Sequence, residues 1–326
     1  MIRFRPFRNS DPPRLLEIFR QTGLGRAFSR PESVHALEVS VFGLPYFDPE
    51  GLILAEDAET GTLLGFIHAG FGFSEDLQAL DYTQGVICCV LVNEPVRHQG
   101  VGKELMGRAE EYLRERGATS LHAGQSKYRD PFYFGIYGGA RPSGFPLSET
   151  GATEFLSSLG YHPVEQIGIF QRDLVGSRDP VNVRLITHRR NTELVISDQP
   201  PNPTWWWLTH FGNIESMRFA LHERKKGTLI ASLTVVGLDH YISAWNERAI
   251  GLVDIFVQED YRGQGYGQSL IIETIRRLRT EMITRAEIHI SDDRQAAIQA
   301  VSNAGFEQID TGIVYAKSAP GVSSVS

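Results

Sequence analysis

The run Arg97-His-Gln-Gly-Val-Gly102 recurs as Arg262-Gly-Gln-Gly-Tyr-Gly267, close to half the chain later. Each copy places an arginine and closely spaced glycines where a helix is about to begin. A helix start leaves backbone N–H groups unpaired and carries partial positive charge. Glycines let that backbone approach an anion with no Cβ in the way. The arginine adds a fixed cation. Together these parts suit a phosphate or pyrophosphate. A Walker loop would need Gly-Lys-Ser/Thr after four intervening residues, and neither copy has it. A dinucleotide fingerprint comes nearest at Gly263 and Gly265, but position 268 is Gln. In the first copy His98 stands where the second has Gly263.

The flanking elements repeat with the loops. β-like runs precede them at Gly85–Val92 and Ala249–Val257. Amphipathic helices follow. In the first, Val101, Leu105, Ala109, Tyr112 and Leu113 form the apolar stripe; in the second, Ile271, Ile275, Leu278 and Met282 do. A further strand comes next in each half, at Thr119–Ala123 and Ala286–Ile290, then a short helix ending in Gly160-Tyr161 or Gly305-Phe306.

The spacing thus predicts two domains, residues 1–175 and 183–318, joined by a Gly-, Ser- and Pro-bearing linker at Asp173–Asn182. Ser318–Ser326 reads as a frayed tail. The halves differ at their starts. The first has a capped helix after Ser10 and a helical pattern over Pro31–Phe42, whereas the second shows no clear equivalent ahead of Trp205-Trp206-Trp207. The first half also carries about 20 extra residues near 126–151, rich in aromatics and glycine. A long loop of that composition is usually functional.

Composition narrows the function. The chain has 326 residues with 41% hydrophobic and 22% charged, ordinary for globular domains, and a net charge of −7. An acidic chain gives no support to nucleic-acid binding. No apolar run approaches a membrane span and no signal peptide opens the chain, so a cytoplasmic protein is the expectation. Cys88 and Cys89 are adjacent and read as core residues. The histidines lack paired ligand spacing, so no metal is expected.

On the residues Arg97, Gln99, Gly100 and Gly102, and Arg262, Gln264, Gly265 and Gly267, both halves resemble the GNAT superfamily of N-acetyltransferases, in its tandem-domain form. The resemblance implies an α/β (α+β) fold with two tandem GNAT-like domains, each a mixed, centrally splayed sheet flanked by helices. It implies acetyl-CoA as cofactor. The pyrophosphate would lie on the loop Arg97, His98, Gln99, Gly100, Val101 and Gly102, or on Arg262, Gly263, Gln264, Gly265, Tyr266 and Gly267. The pantetheine arm would lie along strand amides at Val90, Leu91 and Val92, or at Ile255, Phe256 and Val257. The implied acceptor is a primary amine of a small molecule or peptide, and the implied assembly a monomer or homodimer. The alternative is a coenzyme A-binding regulatory or structural module, with one or both domains catalytically degenerate.

Two departures from the family pattern matter. Many members carry a Tyr four residues before the late Gly-aromatic pair; here those positions are Leu156 and Val301. Asn is also common seven residues ahead of that Tyr, and domain two has Arg294 there. The usual acid is therefore missing, and Asp254, Glu94 and Tyr137 are the candidate catalytic residues in its place. His289 reads as a satisfied structural histidine.

Overall fold

The computed structural model describes residues 1–20, 25–149 and 151–318; Thr150 in the insert and the tail beyond Ser318 lie outside the described residues. The first repeat runs β1 (Ile2–Pro6), α1 (Pro12–Arg20), α2 (His35–Leu37), β2 (Leu52–Asp57), β3 (Leu63–Phe73), β4 (Leu80–Val92), α3 (Val101–Glu115), β5 (Ser120–Ala123), β6 (Phe145–Pro146), α4 (Ala152–Ser158) and β7 (His162–Asp173). The second runs α5 (Val183–Asn191), β8 (Thr192–Ser197), α6 (Trp205–Phe211), β9 (Ser216–Glu223), β10 (Leu229–Gly237), α7 (Ile242–Trp245), β11 (Ala249–Val257), α8 (Tyr266–Arg279), β12 (Arg285–Ser291), α9 (Gln295–Asn303) and β13 (Glu307–Ser318).

The periodicity that forecast the two long helices is the one they bury. α3 turns Val101, Leu105, Ala109, Tyr112 and Leu113 inward, and α8 turns Ile271, Ile275 and Leu278 inward. Met282 departs from its predicted place: α8 stops at Arg279, and Met282 is exposed with a positive φ of 60°. The second half also begins with a helix that apolar spacing did not reveal. α5 buries only Leu185 and His188, so its stripe is too thin to read. Its start is set by Asn182, whose side chain accepts from Leu185 N at 2.9 Å.

Among the described residues all thirteen strands join one mixed sheet, in the order β1-β2-β3-β4-β5-β13-β7-β12-β11-β10-β9-β8, with β6 on β13. The order contains an exchange. β13, the last strand of the second repeat, lies between β5 and β7 of the first. β7, the last strand of the first, lies against β12 of the second. Each repeat's sheet is thus completed by the other's final strand.

The splay expected in each sheet is present. β4 pairs in parallel with β5 only over Gln84–Ile87, and β11 with β12 only over Ala249–Leu252. Beyond those points β4 and β11 continue to Val92 and Val257, paired on the opposite side alone with β3 and β10. A register shift marks each divergence, near Cys88 and near Asp254. Such irregularities bend a strand away from its partner.

Candidate functional site

The two glycine loops fold alike. Arg97 Nε donates to Val92 O at 3.0 Å and Arg262 Nε donates to Val257 O at 3.1 Å. Gln99 Nε2 donates to Pro95 O at 3.1 Å and Gln264 Nε2 to Asp260 O at 2.7 Å. The repeated Arg and Gln therefore brace the turn between strand and helix, a role the bare motif did not disclose. Gly100 and Gly265 precede α3 and α8 with φ of 83° and 86°. One difference has a backbone cost. His98 holds φ at 61° where Gly263 holds 71°. A left-handed conformation costs a non-glycine residue about 1 kcal/mol.

What lies over the loops differs more. In the first repeat a Cβ added at Gly102 would stand 3.1 Å from Phe155 Cζ. At the matching Gly267 the neighbours are Val257 Cγ2 at 3.6 Å and, in the place of Phe155, Ala300 Cβ at 3.9 Å. The splay of the first repeat is also filled by its own insert. Gly124 N donates to Ile87 O at 3.0 Å, and Gln125 Nε2 donates to Cys88 O at 3.4 Å. Gln125 Oε1 in turn accepts from Phe132 N at 3.2 Å. Cys88 and Cys89 are buried, and burial pushes both thiols up, away from reactive thiolate.

In the second repeat the splay opens on a cavity of about 700 Å³. Its lining includes the strand Val253–Val257, the loop residues Arg262, Gly263, Gly265, Tyr266 and Gly267, Ile288 and Ile290 on β12, and Ala300 and Val301 on α9. Phe256 is 43% exposed, unlike Leu91 at the matching place, which is buried. A Cβ at Gly265 would come within 2.9 Å of Arg184 Cδ, so a side chain there would close the cradle. Arg184 reaches the cavity from α5. Below it His188 stacks on Tyr266 at 4.0 Å, and burial followed by the Arg184 charge holds the His188 imidazole below its usual range. Bare amides at a helix start, a cation beside them and an apolar slot beyond fit the pyrophosphate and pantetheine of coenzyme A.

The far wall comes from the other repeat. Asp254 sits at the splay with φ of 50° and faces the cavity. Its Oδ1 accepts from Arg141 Nη1 at 3.1 Å and lies 3.6 Å from Lys127 Nζ. Arg141 also donates from Nε to Asp130 Oδ2 at 2.7 Å and lies 5.0 Å over the Trp206 ring. Asp130 is fully buried and takes a second bond from Trp206 Nε1 at 3.3 Å. Lys127, Asp130, Arg141 and Ser143 all belong to the insert of the first repeat. Part of that insert packs inward: Tyr133 OH meets His68 Nδ1 at 3.0 Å, Tyr137 packs at a tilt against Phe28 at 4.8 Å, and Phe134 meets Phe211 at 5.1 Å. The returning limb then reaches the second repeat's cavity.

A second polar chain lines the same space. His289 Nε2 lies 3.0 Å from Glu287 Oε1, and His289 Nδ1 lies 2.8 Å from Ser143 Oγ. Glu287 is completely buried and also accepts from Ala140 N at 2.8 Å, Gln171 Nε2 at 2.6 Å and Arg26 Nη2. Burial opposes its charge, but the His289 bond, the Arg26 guanidinium and the Ala140 N–H outweigh it and hold the carboxyl at about 2. Gly139 makes room, since a Cβ there would overlap Glu287 Oε1.

The structure thus brings Asp254, Ile255, Phe256 and Val257 to one cleft with the second loop. It does not bring Glu94 or Tyr137 there. Glu94 is exposed beside the first loop, and Tyr137 is buried in the first core. Val90, Leu91 and Val92 border a splay occupied by the insert, while His98, Gln99 and Gly100 remain on the surface. Sequence reasoning missed Arg141, Lys127, Ser143, Glu287 and Arg184. The aromatic, glycine-rich insert was the available signal for the first three, but its place in the first repeat gave no sign that it lines the second repeat's cavity.

Comparison with known proteins agrees with this fold. No curated protein sequence matches the chain. A tandem GNAT protein from the clavulanic acid biosynthesis pathway superposes with a TM-score of 0.71 at 16% identity, covering 99% of this chain and 100% of that one. A GCN5-related N-acetyltransferase from Sphaerobacter thermophilus gives 0.64 at 14% identity, covering 98% and 97%. A GCN5-related glucosamine N-acetyltransferase region of a fungal multi-domain GH3 β-N-acetylglucosaminidase gives 0.72 at 16% identity; 97% of this chain is covered, which spans only 38% of that one. At such identities these likenesses show the fold. Among the described residues no helix is long and apolar enough to cross a membrane. The family described as "Acetyltransferase (GNAT) family" matches twice, at residues 15–133 and 185–306, and the chain, with most of its length in these two matches, belongs to that family.

Proposed function

We propose that the second repeat transfers an acetyl group from acetyl-CoA to a primary amine of a small molecule or peptide, by direct attack, and that the first repeat is a structural half supplying part of the acceptor wall. One observation carries this reading: the splay between β11 and β12 opens on a cavity bounded by the glycine loop, whereas the first repeat's splay is filled by Gln125 and Phe155 stands against Gly102 of its loop. Acetyl-CoA, when bound, supplies the acetyl group as an activated thioester.

The chain's own parts do the rest. The amides of Gly265–Gly267, with Arg262 and Arg184 beside them, hold the pyrophosphate. The amides along Val253–Val257 that lack a β12 partner hold the pantetheine arm and polarise the acyl oxygen; one such donor is worth about 3 kcal/mol. Ile288, Ile290 and Val301 exclude water from the reacting end. Asp254, Lys127 and Glu165 give the acceptor a polar, charged chamber. An amine with a pKa near 10.4 must shed a proton before it attacks. Holding it against the thioester supplies much of the remaining rate. Val301 is apolar and buried, so the thiolate receives no proton from that position.

Coenzyme A titrated into the protein in a calorimeter tests binding, and release of free thiol from acetyl-CoA in the presence of polyamines, amino sugars, amino acids or short peptides tests transfer. One coenzyme A per chain with acetylation of an amine is expected. Two equivalent sites, or none, would overturn the division between the repeats. Binding with no amine acetylated would favour the coenzyme A-binding module.

A further inference from the structure

Resting on the assignment of transfer to the second repeat, we propose that Ser143, His289 and Glu287 form a proton relay in which Ser143 Oγ takes the proton of the attacking amine and His289 receives it. The chain is continuous: Ser143 Oγ to His289 Nδ1 at 2.8 Å, His289 Nε2 to Glu287 Oε1 at 3.0 Å. Ser143 and His289 both border the cavity that Asp254 and the glycine loop border.

The hydrogen-bond roles follow from Glu287. It is buried and accepts from three groups that can only donate, Ala140 N on Oε1 and Gln171 Nε2 and the Arg26 guanidinium on Oε2, so it is a carboxylate with no proton to give. In a neutral imidazole His289 Nε2 then carries the ring proton and donates it to Glu287. That leaves a lone pair on Nδ1, which only a donor can meet. Ser143 Oγ is therefore the donor, and its own lone pairs are available to an incoming N–H. A hydroxyl, an imidazole and a carboxylate in this order are the parts of a proton-accepting relay whose imidazole is oriented by the carboxylate.

Asp254 is less suited to the task, because its Oδ1 is already committed to Arg141 and lies close to Lys127. The charged groups around His289 come from several elements: Glu287 on its own strand, Glu165 on β7, Asp254 on β11, Lys127 and Arg141 on the insert, and Arg26 from the N-terminal segment. Arg26 also pairs with Glu287 through its guanidinium.

The step balances. As the amine nitrogen bonds to the thioester's carbonyl carbon and the C–S bond breaks, the electron pair leaves on sulfur. One N–H proton passes to Ser143 Oγ while the Ser143 proton passes to His289 Nδ1. The resulting imidazolium, beside Glu287, returns its proton through Ser143 to the thiolate or to solvent.

Two measurements test this. In the free protein, ¹⁵N chemical shifts of the His289 ring should show a neutral imidazole protonated on Nε2; a proton on Nδ1 overturns the relay whatever the acceptor. With an amine that wild type acetylates, Ser143→Ala and His289→Gln should each lower kcat about 100-fold. The double variant should fall no further, since the residues act as a unit. Coenzyme A affinity, read by calorimetry, should stay within about 3-fold of wild type. Ser143→Thr, which keeps the hydroxyl, should recover most of the rate. The relay is overturned if Ser143→Ala keeps wild-type kcat and pH profile, if it loses coenzyme A affinity and folding stability together with activity, or if Ser143 itself carries an acetyl group after exposure to acetyl-CoA without amine. Failure of wild type to acetylate any amine sinks the broader assignment instead, and so separates the two.

Discussion

Arg141 Nη1 lies 3.1 Å from Asp254 Oδ1, although 113 residues of chain separate them. The insert of one repeat thereby fixes a residue at the open strand of the other. Arg141 also neutralises Asp130, which is fully buried. It is a shared cation between two carboxylates, one structural and one facing the cavity. Burial opposes its charge, but Asp130 and Asp254 outweigh that and raise its proton affinity further.

Arg141→Met should therefore cost more than a surface ion pair. Removing one partner of a buried pair leaves an uncompensated charge and typically costs about 3–5 kcal/mol. The shift in urea midpoint measures it. A loss below about 1 kcal/mol would mean that Asp130 is solvated or protonated instead.

The two loops should respond differently to the same substitution. Gly265→Glu places bulk and negative charge in the open cradle and should lower coenzyme A affinity at least about 100-fold, a loss near 3 kcal/mol. Gly100→Glu should leave it near wild type, because Gln125 fills the splay behind that loop. Calorimetry on both variants decides, and equal effects would contradict the division of labour.

Phe155→Ala should not create a second coenzyme A site. It removes the ring over Gly102, but Gln125 still occupies the splay behind it. The expected result is one bound coenzyme A per chain and a stability loss of about 1–3 kcal/mol for the partly buried ring. Appearance of a second site would show that this ring alone keeps the first repeat closed.

Glu287 sets a pH dependence whose sign can be worked out. Its carboxyl is held at about 2 in the folded chain against an ordinary 4.5. The folded state thus binds fewer protons than the unfolded state between those values. Its stabilisation is complete above 4.5 and is lost as pH falls towards 2, and it amounts to about 3 kcal/mol at neutral pH. The stability difference between wild type and Glu287→Gln should be largest near pH 7 and shrink through that acid window. A difference independent of pH would remove the ionised Glu287 on which the His289 tautomer depends.

Part of the architecture was readable in advance. The repeated loop, the apolar stripes of α3 and α8, and the strands before and after them all lie within short stretches of chain. The thin stripe of α5 did not announce a helix, because Leu185 and His188 are its only buried positions. The insert was visible as an aromatic, glycine-rich segment, and Tyr137 was its most chemical-looking residue. Yet Tyr137 packs in the first core, while Arg141 and Ser143, near it in sequence, line the cavity of the second repeat.

By itself the sequence determined that two like glycine turns exist and that each lies between a strand and a helix. Glycine spacing and apolar periodicity are local properties, legible over a few turns. Only the tertiary structure decided which cradle is open. That outcome turns on a phenyl ring against a methyl group at Phe155 and Ala300, on a glutamine side chain closing one splay, and on an insert that crosses from one repeat to the other. Occupancy of a cleft depends on atoms brought together from distant parts of the chain, and no pattern within one stretch of sequence encodes that meeting.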